Sequence, residues 1–277
     1  MRVNNCSPTL DARSRQLRRA MLDSLYRGGR GHLPSACSCI DILRVLYDDV
    51  ARVYPHEPLA PDRDRIILSK GHGCLALYAM LADKGFFPQQ DMDHFCAFGS
   101  HLGGHPERGH TPGVEASTGS LGHGPALGIG MALAARLRGS SARVFVLCGD
   151  GETDEGSVWE ACLSASKHKL DNFTLLIDYN KQQSWGDVSE ILPLEPYVDK
   201  FRAFGFSVAE TDGHDVLALR AALKTLPREV GKPTCVICHT VKGKGFPSIE
   251  RNLKWHHKTA LQETDYTRLA AELEAQA

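Results

Sequence analysis

The fold is decided by two stretches of the sequence, RVFVLCGDG at residues 143–151 and FTLLIDYN at residues 173–180. Each begins as an apolar run of the length of a strand and ends in glycine or polar residues. A helical pattern over about 155–168 separates them, and a helix that connects two strands leaves them parallel in one sheet. The two stretches therefore predict buried strands of a mostly parallel sheet.

The rest of the chain carries the same two patterns. Helical patterns cover roughly 10–28, 38–51, 72–84, 120–138, 155–168, 194–204 and 214–226, and strand-like runs lie near 65–69, 143–148, 173–179, 206–210 and 234–241. Helices and strands alternate from about residue 120 onward, which implies a sheet covered by helices on both faces. We predict one three-layer α/β domain over residues 1–277, with a helical tail at about 259–277.

Composition excludes several classes of protein. Of the 277 residues, 42% are hydrophobic and 23% are charged, which is ordinary for a soluble globular protein. A net charge of −1 argues against a surface that binds nucleic acid. No apolar run approaches the roughly 20 residues that span a bilayer, and the polar, Arg-rich start does not read as a secretory signal. We expect a cytoplasmic protein that binds neither nucleic acid nor membrane.

The nine cysteines read as structural residues in a reducing compartment. Several lie in apolar runs, where a free cysteine behaves as a small hydrophobic residue. Cys235 and Cys238 are three residues apart in a strand-like run, so their thiols should lie on opposite faces of the sheet. Cys37 and Cys39 have no second pair at the spacing of a zinc site.

Asp150 and Asn180 each follow the end of a predicted strand. Ligands of parallel sheets bind beyond the carboxyl ends of the strands, so both residues should lie at one edge. A carboxylate and an amide there form a site for Mg²⁺ or Ca²⁺, with the main-chain carbonyl of Gln182 as the third ligand. Gly149 and Gly151 let a ligand approach the main chain closely. The alternative is an Asp that caps the next helix and an Asn in a turn.

A second candidate site is the loop GSLGHG, residues 119–124, which opens a long apolar helix. Free N–H groups at such a helix start can bind phosphate. The glycines do not fit GxGxxG, and close helix packing is the alternative. The surrounding segment 99–124 is rich in Gly and His with little regular patterning, and long ordered loops of this kind are usually functional.

Four histidines, His32, His72, His105 and His256, lie in loop contexts. Imidazoles can donate to phosphate and can move protons to and from sugar hydroxyls near neutral pH. No HxH or HxxxH pair supports a transition-metal site, which is the alternative. Glu152 and Asp154 open the helix after Gly151, where they complement its dipole.

Together these motifs resemble the N-terminal part of a transketolase. They keep that family's order over about 225 residues: Gly31-His32, Ser69-Lys70-Gly71-His72, Gly104-His105-Pro106-Glu107, Thr111-Pro112-Gly113-Val114-Glu115, Thr118 to Gly124, Gly149-Asp150-Gly151, Asn180 and Trp255-His256. The resemblance implies the diphosphate-binding domain of the thiamine diphosphate-dependent fold.

The resemblance also implies roles for individual residues. The cation would be held by Asp150, Asn180 and Gln182, and the cofactor would contact His72, Gly119, Leu121, Gly122, His123, Gly149, Gly151 and Glu152. The catalytic set would be His32, His72, His105 and His256, facing the sugar and the reacting carbonyl, with Glu155 in a carboxylate relay at a subunit interface. His123 stands where the family has a glutamine.

The family also needs a second domain, which binds the aminopyrimidine ring of the cofactor and supplies a glutamate to it. No room for that domain remains before Ala277. We therefore predict the N-terminal subunit of a split transketolase, with a separate C-terminal subunit that carries the pyrimidine-binding domain. An α₂β₂ heterotetramer would bind thiamine diphosphate and Mg²⁺ (or Ca²⁺) across the subunit interface.

The expected reaction moves a two-carbon ketol unit from a ketose, in phosphorylated form, to an aldose. Two alternatives stay open from the sequence. One is the cofactor-binding α subunit of a 2-oxoacid decarboxylating dehydrogenase, which shares the GDG and Asn motif. The other is a module that binds thiamine diphosphate without catalysis.

Overall fold

A computed structural model describes residues 10–256, 258 and 260–276. Its centre is a sheet of five parallel strands in the order β1-β2-β3-β5-β4. The strands are β1 Arg65–Leu68, β2 Val144–Gly149, β3 Phe173–Tyr179, β4 Ser207–Asp212 and β5 Thr234–His239. All five correspond to strand-like runs in the sequence, and the predicted α/β fold with a mostly parallel sheet is confirmed.

Nine α-helices surround the sheet in the described part of the chain. They are α1 Ala12–Gly28, α2 Leu33–Val45, α3 Cys74–Asp83, α4 His123–Leu137, α5 Gly156–Lys167, α6 Val188–Ile191, α7 Tyr197–Ala203, α8 Val216–Lys224 and α9 Glu263–Glu274. A π-helical turn, Leu46–Val50, continues α2. The predicted tail at 259–277 contains α9, while residues 259 and 277 lie outside the described residues.

The structure differs from the predicted helices in two respects: one helix begins earlier than predicted, and one short helix was not predicted. The second begins at Leu33, five residues before the predicted start, because Pro34 stands in its first turn, where the fixed φ of proline favours a helix start. The short helix α6 was not predicted, and the helix expected over 194–204 is α7. With four residues, α6 is too short to show a helical period in the sequence.

A separate hydrophobic core lies on each face of the sheet, between the strands and the helices that pack there. Leu147 and Leu176 pack with α1, α2, α3, α8 and α9, and Val146 and Leu175 pack on the opposite face with α4, α5 and α7. Successive side chains of a strand point to opposite faces, so these neighbours separate into two cores. The predicted three layers follow from this division.

The cysteines have the structural character that the sequence predicts. Cys235 packs in one core and Cys238 in the other, so the two thiols lie on opposite faces of the sheet. The eight cysteines that the structure describes are all free. Burial raises the pKa of the Cys37 thiol to about 12, which leaves it protonated and unreactive at neutral pH.

Within the described residues, no helix is both long and apolar enough to cross a membrane. The polar residues singled out in the sequence follow the carboxyl ends of the strands. Lys70 and His72 follow β1, Asp150 follows β2, and Asn180 follows β3. The parallel arrangement therefore brings them to one edge of the sheet.

Candidate active site

Asp150 is a buried carboxyl group, and no cationic side chain among the described residues is hydrogen-bonded to it. Its Oδ1 accepts from the N–H of Gly151 at 2.9 Å, and its Oδ2 accepts from the N–H of Lys181. Burial raises the pKa of Asp150 to about 7, and the nearby charge of Asp178 adds to the rise. A carboxylate kept from water in this way is stabilised by a bound cation.

Asn180 and Gln182 flank Lys181 in the turn after β3, and the N–H of Lys181 donates to the carboxylate of Asp150. The Oδ1 of Asn180 accepts from the N–H of Gln182 at 3.1 Å, which orders the turn between them. The N–H of Asp150 reaches the carbonyl of Asp178, at the end of the neighbouring strand. The structure thus places the three residues predicted as cation ligands together. Their carboxylate, amide and carbonyl oxygens are the donors that Mg²⁺ and Ca²⁺ prefer.

Lys242 lies at this turn, and the sequence analysis did not single it out. The side chain is buried, and its Nζ donates to the carbonyl of Gln182 at 3.2 Å. Burial and the charge of Lys70 together lower the pKa of Lys242 to about 8, although the carboxylates of Asp150 and Asp178 oppose the change. A buried ammonium group without a carboxylate in contact is suited to an anionic ligand.

A buried ion pair lies beneath the turn. Lys70 contacts Asp178, the sixth residue of β3, and its Nζ also donates to the carbonyl of Ser35 at 2.9 Å. Burial opposes the charge of Lys70, but Asp178 outweighs it and raises the pKa of the ammonium group. The Oδ2 of Asp178 accepts from the Nδ2 of Asn180 at 3.3 Å. The pair therefore fixes the amide of Asn180 with its nitrogen turned toward Asp178.

Glu152 braces the surrounding loops. Its Oε1 accepts from the N–H of Gly122 at 2.9 Å and from the hydroxyl of Ser69, and its Oε2 accepts from the N–H of Gly149 at 3.1 Å. Burial raises the pKa of its carboxyl group, although these bonds oppose the rise. Beyond the predicted complementation of a helix dipole, the buried carboxylate of Glu152 thus joins the segments of Ser69, Gly122 and Gly149.

The glycine-rich loop 119–124 approaches its neighbours too closely for side chains. A Cβ on Gly119 would lie 2.9 Å from the ring of His105, and one on Gly71 would lie 2.7 Å from the N of Gly119. Gly119 and Gly122 have φ of 150° and 80°, which also favours glycine. Gly122 caps α4, and the half-buried Leu121 follows Gly119 by two residues. The loop is therefore held against His105 at the mouth of the site.

His123 and Gly151 have local surroundings that differ from the centre of the site. His123 is exposed at the first position of α4, and its Nδ1 is 3.0 Å from the carbonyl of Leu121. A Cβ on Gly151 would lie 2.7 Å from the side chain of Gln183, so this glycine is required by packing. Neither observation assigns a ligand to these residues.

Three of the four histidines form a cluster. The ring centroids of His32, His72 and His256 are separated by 5.7 to 6.1 Å. His105 belongs to the same region, because its pKa is lowered by burial and by the charge of His32. Among the described residues no group of three His, Cys, Asp or Glu side chains is placed to hold a metal ion.

Hydrogen bonds set the protonation of these rings. The Nδ1 of His32 is 2.9 Å from the carbonyl of His256, so Nδ1 carries the proton and Nε2 can accept one. The Nε2 of His256 pairs with the hydroxyl of Ser184 at 2.8 Å. Burial, together with the charge of Lys70, lowers the pKa of His72 well below its usual value. His72 is therefore neutral at pH 7.

Glu155 occupies the N-cap of α5, at the surface. A Cβ on Gly122 would lie 2.7 Å from the Cβ of Glu155, so this acidic side chain stands directly beside the glycine-rich loop. An exposed carboxylate next to the site is available to a neighbouring protomer.

Two lysines of the site escaped the sequence analysis although a signal for both exists. Lys70 lies inside the quoted motif Ser69-Lys70-Gly71-His72, and Lys242 lies two residues before Lys244 in VKGKG, just after β5. The rule that ligands bind beyond strand ends applies to them as it does to Asp150. Lysine is rarely buried, so the sequence favours a surface position for both.

Comparison with known proteins gives a consistent result. The family profile described as "Transketolase, thiamine diphosphate binding domain" matches residues 11–276. The A subunit of the apulose-4-phosphate transketolase of Phocaeicola vulgatus is 39% identical over 249 residues, covering 90% of this chain and 88% of that protein. The 6-deoxy-6-sulfo-D-fructose transketolase subunit SqwG of Clostridium sp. is 40% identical over 258 residues, covering 93% of this chain and 94% of that protein.

Solved structures agree. The transketolase from Leishmania mexicana matches with a TM-score of 0.87 and 32% sequence identity. The match covers 94% of this chain and 40% of that one, so this chain spans less than half of that enzyme's length.

Proposed function

The chain belongs to the transketolase family as a thiamine diphosphate-binding N-terminal subunit, and from that premise we propose how its site works and what it acts on. We assign it the transfer of a two-carbon ketol unit from a ketose to an aldose, in company with a second polypeptide. The observation that carries this assignment is the contact of Asp150 with the turn that holds Asn180 and Gln182, beside the histidine cluster. The turn supplies oxygen donors for a cation, and the histidines supply proton-transfer groups.

The residues of the turn suit the cofactor. Bound thiamine diphosphate supplies the nucleophilic carbon that adds to a ketose carbonyl. Asp150, Asn180 and the carbonyl of Gln182 would hold Mg²⁺ or Ca²⁺, and Lys242 and His72 would face the diphosphate. The raised pKa of Asp150 and the lowered pKa of Lys242 support this assignment, because a cation and an anion would relieve them.

The histidines are assigned to the sugar. Nδ1 of His32 donates to the carbonyl of His256, which leaves Nε2 as the ring nitrogen that can take a proton from a hydroxyl. His105 and His256 complete the group around the donor, and His72 lies between them and Lys70. The ring centroids of His32, His72 and His256 lie within 6.1 Å of one another, so one donor sugar can contact more than one of these rings.

The partner is assigned from the relatives and from Glu155. Both relatives named above are called transketolase subunits, which supports a separate chain with the pyrimidine-binding domain. Glu155 is exposed beside Gly122, as a residue in a relay across an interface between subunits would be. We propose that this chain forms one diphosphate-binding domain of a cytoplasmic α₂β₂ enzyme.

The donor is proposed to be a ketose with a terminal anionic group. The names of the relatives specify a phosphorylated and a sulfonated ketose. The expected assay compares kcat/KM for a phosphorylated, a sulfonated and a neutral ketose, with the chain alone and with a C-terminal partner. Ketol transfer only with the partner, and with anionic donors preferred, is the expected result. Full turnover by this chain alone would refute the split-enzyme assignment.

The two alternatives give different results in the same assay. The α subunit of a 2-oxoacid dehydrogenase would decarboxylate 2-oxoacids with its partner and would leave ketoses unchanged. A non-catalytic module would bind thiamine diphosphate with either partner and turn over neither donor.

A further inference from the structure

A second candidate site lies at the opposite edge of the sheet. A cavity of about 1090 Å³ opens beside Arg65 and Val144, the first residues of β1 and β2. The cation turn follows the last residues of β2 and β3, so the length of a strand, roughly 20 Å, separates the two places. We call this cavity the arginine cavity, because Arg63, Arg65, Arg108 and Arg138 line it.

Two of these arginines are neutralised by one buried carboxylate. Arg63 is buried against Glu115, and Arg65 lies 3.7 Å from the same carboxylate. The Nε of Arg63 also donates to the carbonyl of Pro58 at 2.6 Å, and the NH2 of Arg65 donates to that of Ala60 at 2.9 Å. Burial raises the pKa of Glu115, although both arginines oppose the rise.

The other two arginines have no acceptor in the part of the chain that the structure describes. Arg108 and Arg138 form hydrogen bonds only through their main chains, and their guanidinium groups are exposed at the cavity. Burial is the main cause that lowers the pKa of Arg65, and Glu115 opposes it. Arg108 and Arg138 lie close enough for their charges to lower this pKa as well. Against the four guanidinium groups the lining offers only the carboxylates of Asp62 and Glu115.

We propose that the arginine cavity binds a small anion with two or more negative charges, carried by phosphoryl or carboxylate groups. Arg108 and Arg138 hold the anion from two sides, and Arg65 stands behind it. The planar forks of arginine bind both kinds of group through paired hydrogen bonds. A cavity of this size accepts a metabolite rather than a single inorganic ion.

The loop of the cavity is continuous with the active site. The N–H of Thr118 donates to the carbonyl of Pro106 at 3.1 Å, which closes a loop that contains Arg108 and Glu115. His105 precedes this closure and Gly119 follows it. An anion on Arg108 therefore orders the loop whose two ends carry residues of the active site.

The test is a titration of the full chain with inorganic pyrophosphate, with citrate in a parallel arm, at constant ionic strength after divalent cations have been removed on a chelating resin. Removing these ions takes away the cation that the diphosphate site needs, and it adds no competing polycarboxylate to the solution. Calorimetry should show saturable binding, and hydrogen exchange should slow in residues 106–115. Arg108→Gln with Arg138→Gln should weaken the binding at least tenfold. Asp150→Asn should leave it unchanged, because it alters only the other edge.

The matched control removes two other arginines from the surface. Arg136 lies in the last turn of α4, which Arg138 caps, but it donates to the carbonyls of His168 and Lys169, and Arg228 is exposed in the loop between α8 and β5 and does not line the cavity. Arg136→Gln with Arg228→Gln should bind both probes as the wild type does. Several results would overturn the proposal: no saturable binding by the wild type, equal affinity in the Arg108 and Arg138 variant, or loss of binding in Asp150→Asn. The pyrophosphate and citrate arms distinguish a phosphoryl from a carboxylate ligand.

Discussion

Asp41 and Asp150 are both buried aspartates, but their surroundings are opposite. Asp41 accepts from the guanidinium of Arg18 at 2.6 Å, the Nδ1 of His214 at 2.9 Å and the hydroxyl of Ser14 at 2.6 Å. Burial alone would raise its pKa, but Arg18 and His214 outweigh burial and hold it well below the usual range. We call these four residues the Asp41 cluster.

Among the described residues, the hydrogen-bond donors to the carboxylate of Asp150 are main-chain N–H groups only, and burial raises its pKa to about 7. The comparison separates two uses of a buried charge. The Asp41 cluster is complete within the chain, so it stabilises the native state and leaves no capacity for a ligand. The carboxylate of Asp150 has no charged hydrogen-bond partner among the described residues, so the native state bears a cost that a bound cation would remove.

Breaking the Asp41 cluster should have the largest effect on stability. Arg18→Met leaves a buried carboxylate without its main partner, which costs about 3–5 kcal/mol of unfolding free energy. Urea unfolding measures the loss, and Arg18→Lys, which keeps the charge, should lose less. A loss below about 1 kcal/mol for Arg18→Met would contradict the description of the cluster as a complete ion pair.

The two aspartates should respond to pH with opposite signs. The pKa of Asp150 is about 7 in the native state and 3.8 as its reference value, so its contribution to stability is lost as pH rises through that window. The upper bound is about 4 kcal/mol. The pKa of Asp41 is lowered in the native state. Its contribution to stability is therefore present above the reference pKa of 3.8 and is lost as the pH falls into the acid range. The free energy of unfolding of the apo chain and of Asp150→Asn should be compared at pH 5 and pH 8.

The wild type should lose stability relative to Asp150→Asn between those two pH values. An unchanged difference would show that Asp150 is solvated in the native state. Asp41 titrates below this range, so it does not interfere with the comparison.

Lys242, like Asp150, should lower the stability of the apo chain, whereas Arg18 raises it. Lys242→Met removes a buried ammonium group that has no carboxylate in contact, so the apo chain should become more stable. The affinity for thiamine diphosphate in the complex with the partner should fall about 10–100-fold, as for a lost charge-assisted hydrogen bond. The matched control is Lys244→Met, two residues away, whose main-chain carbonyl binds Arg18. An apo chain that is less stable, with unchanged affinity, would assign Lys242 to the structure alone.

The smallest effect is expected at His123. The ring is exposed, and within the described part of the chain its hydrogen-bond partner is the local carbonyl of Leu121. His123→Gln, which restores the family's residue, should change stability by less than about 0.5 kcal/mol and the affinity for thiamine diphosphate by about twofold or less. A tenfold change measured by calorimetry would place this side chain on the cofactor.

The sequence predicted the elements that pack by a regular period. Strands β2 and β3 are buried on both faces and read as continuous apolar runs, so their positions and the polar residues after them could be predicted. The start of α2 could not, because the predicted boundary ignored Pro34, and α6 is too short for a period. Element ends are fixed by single capping residues rather than by the pattern.

The predicted site residues are those whose type alone indicates chemistry, such as Asp150, Asn180 and the histidines. Lys70, Lys242 and Asp178 were missed because their importance comes from burial, which depends on the packing of α2 and the sheet around them. The burial of Glu152 could not be predicted for the same reason. A charged residue near a helix start has the same sequence signature whether it is exposed or buried.

The central claim is that the cofactor is held through a cation on Asp150. The most direct test is the dissociation constant of thiamine diphosphate, measured by calorimetry with and without Mg²⁺, for the assembled wild type and for Asp150→Asn. Mg²⁺ should strengthen binding by the wild type at least 100-fold and leave the affinity of the variant nearly unchanged. An equal effect of Mg²⁺ on both proteins would contradict the claim.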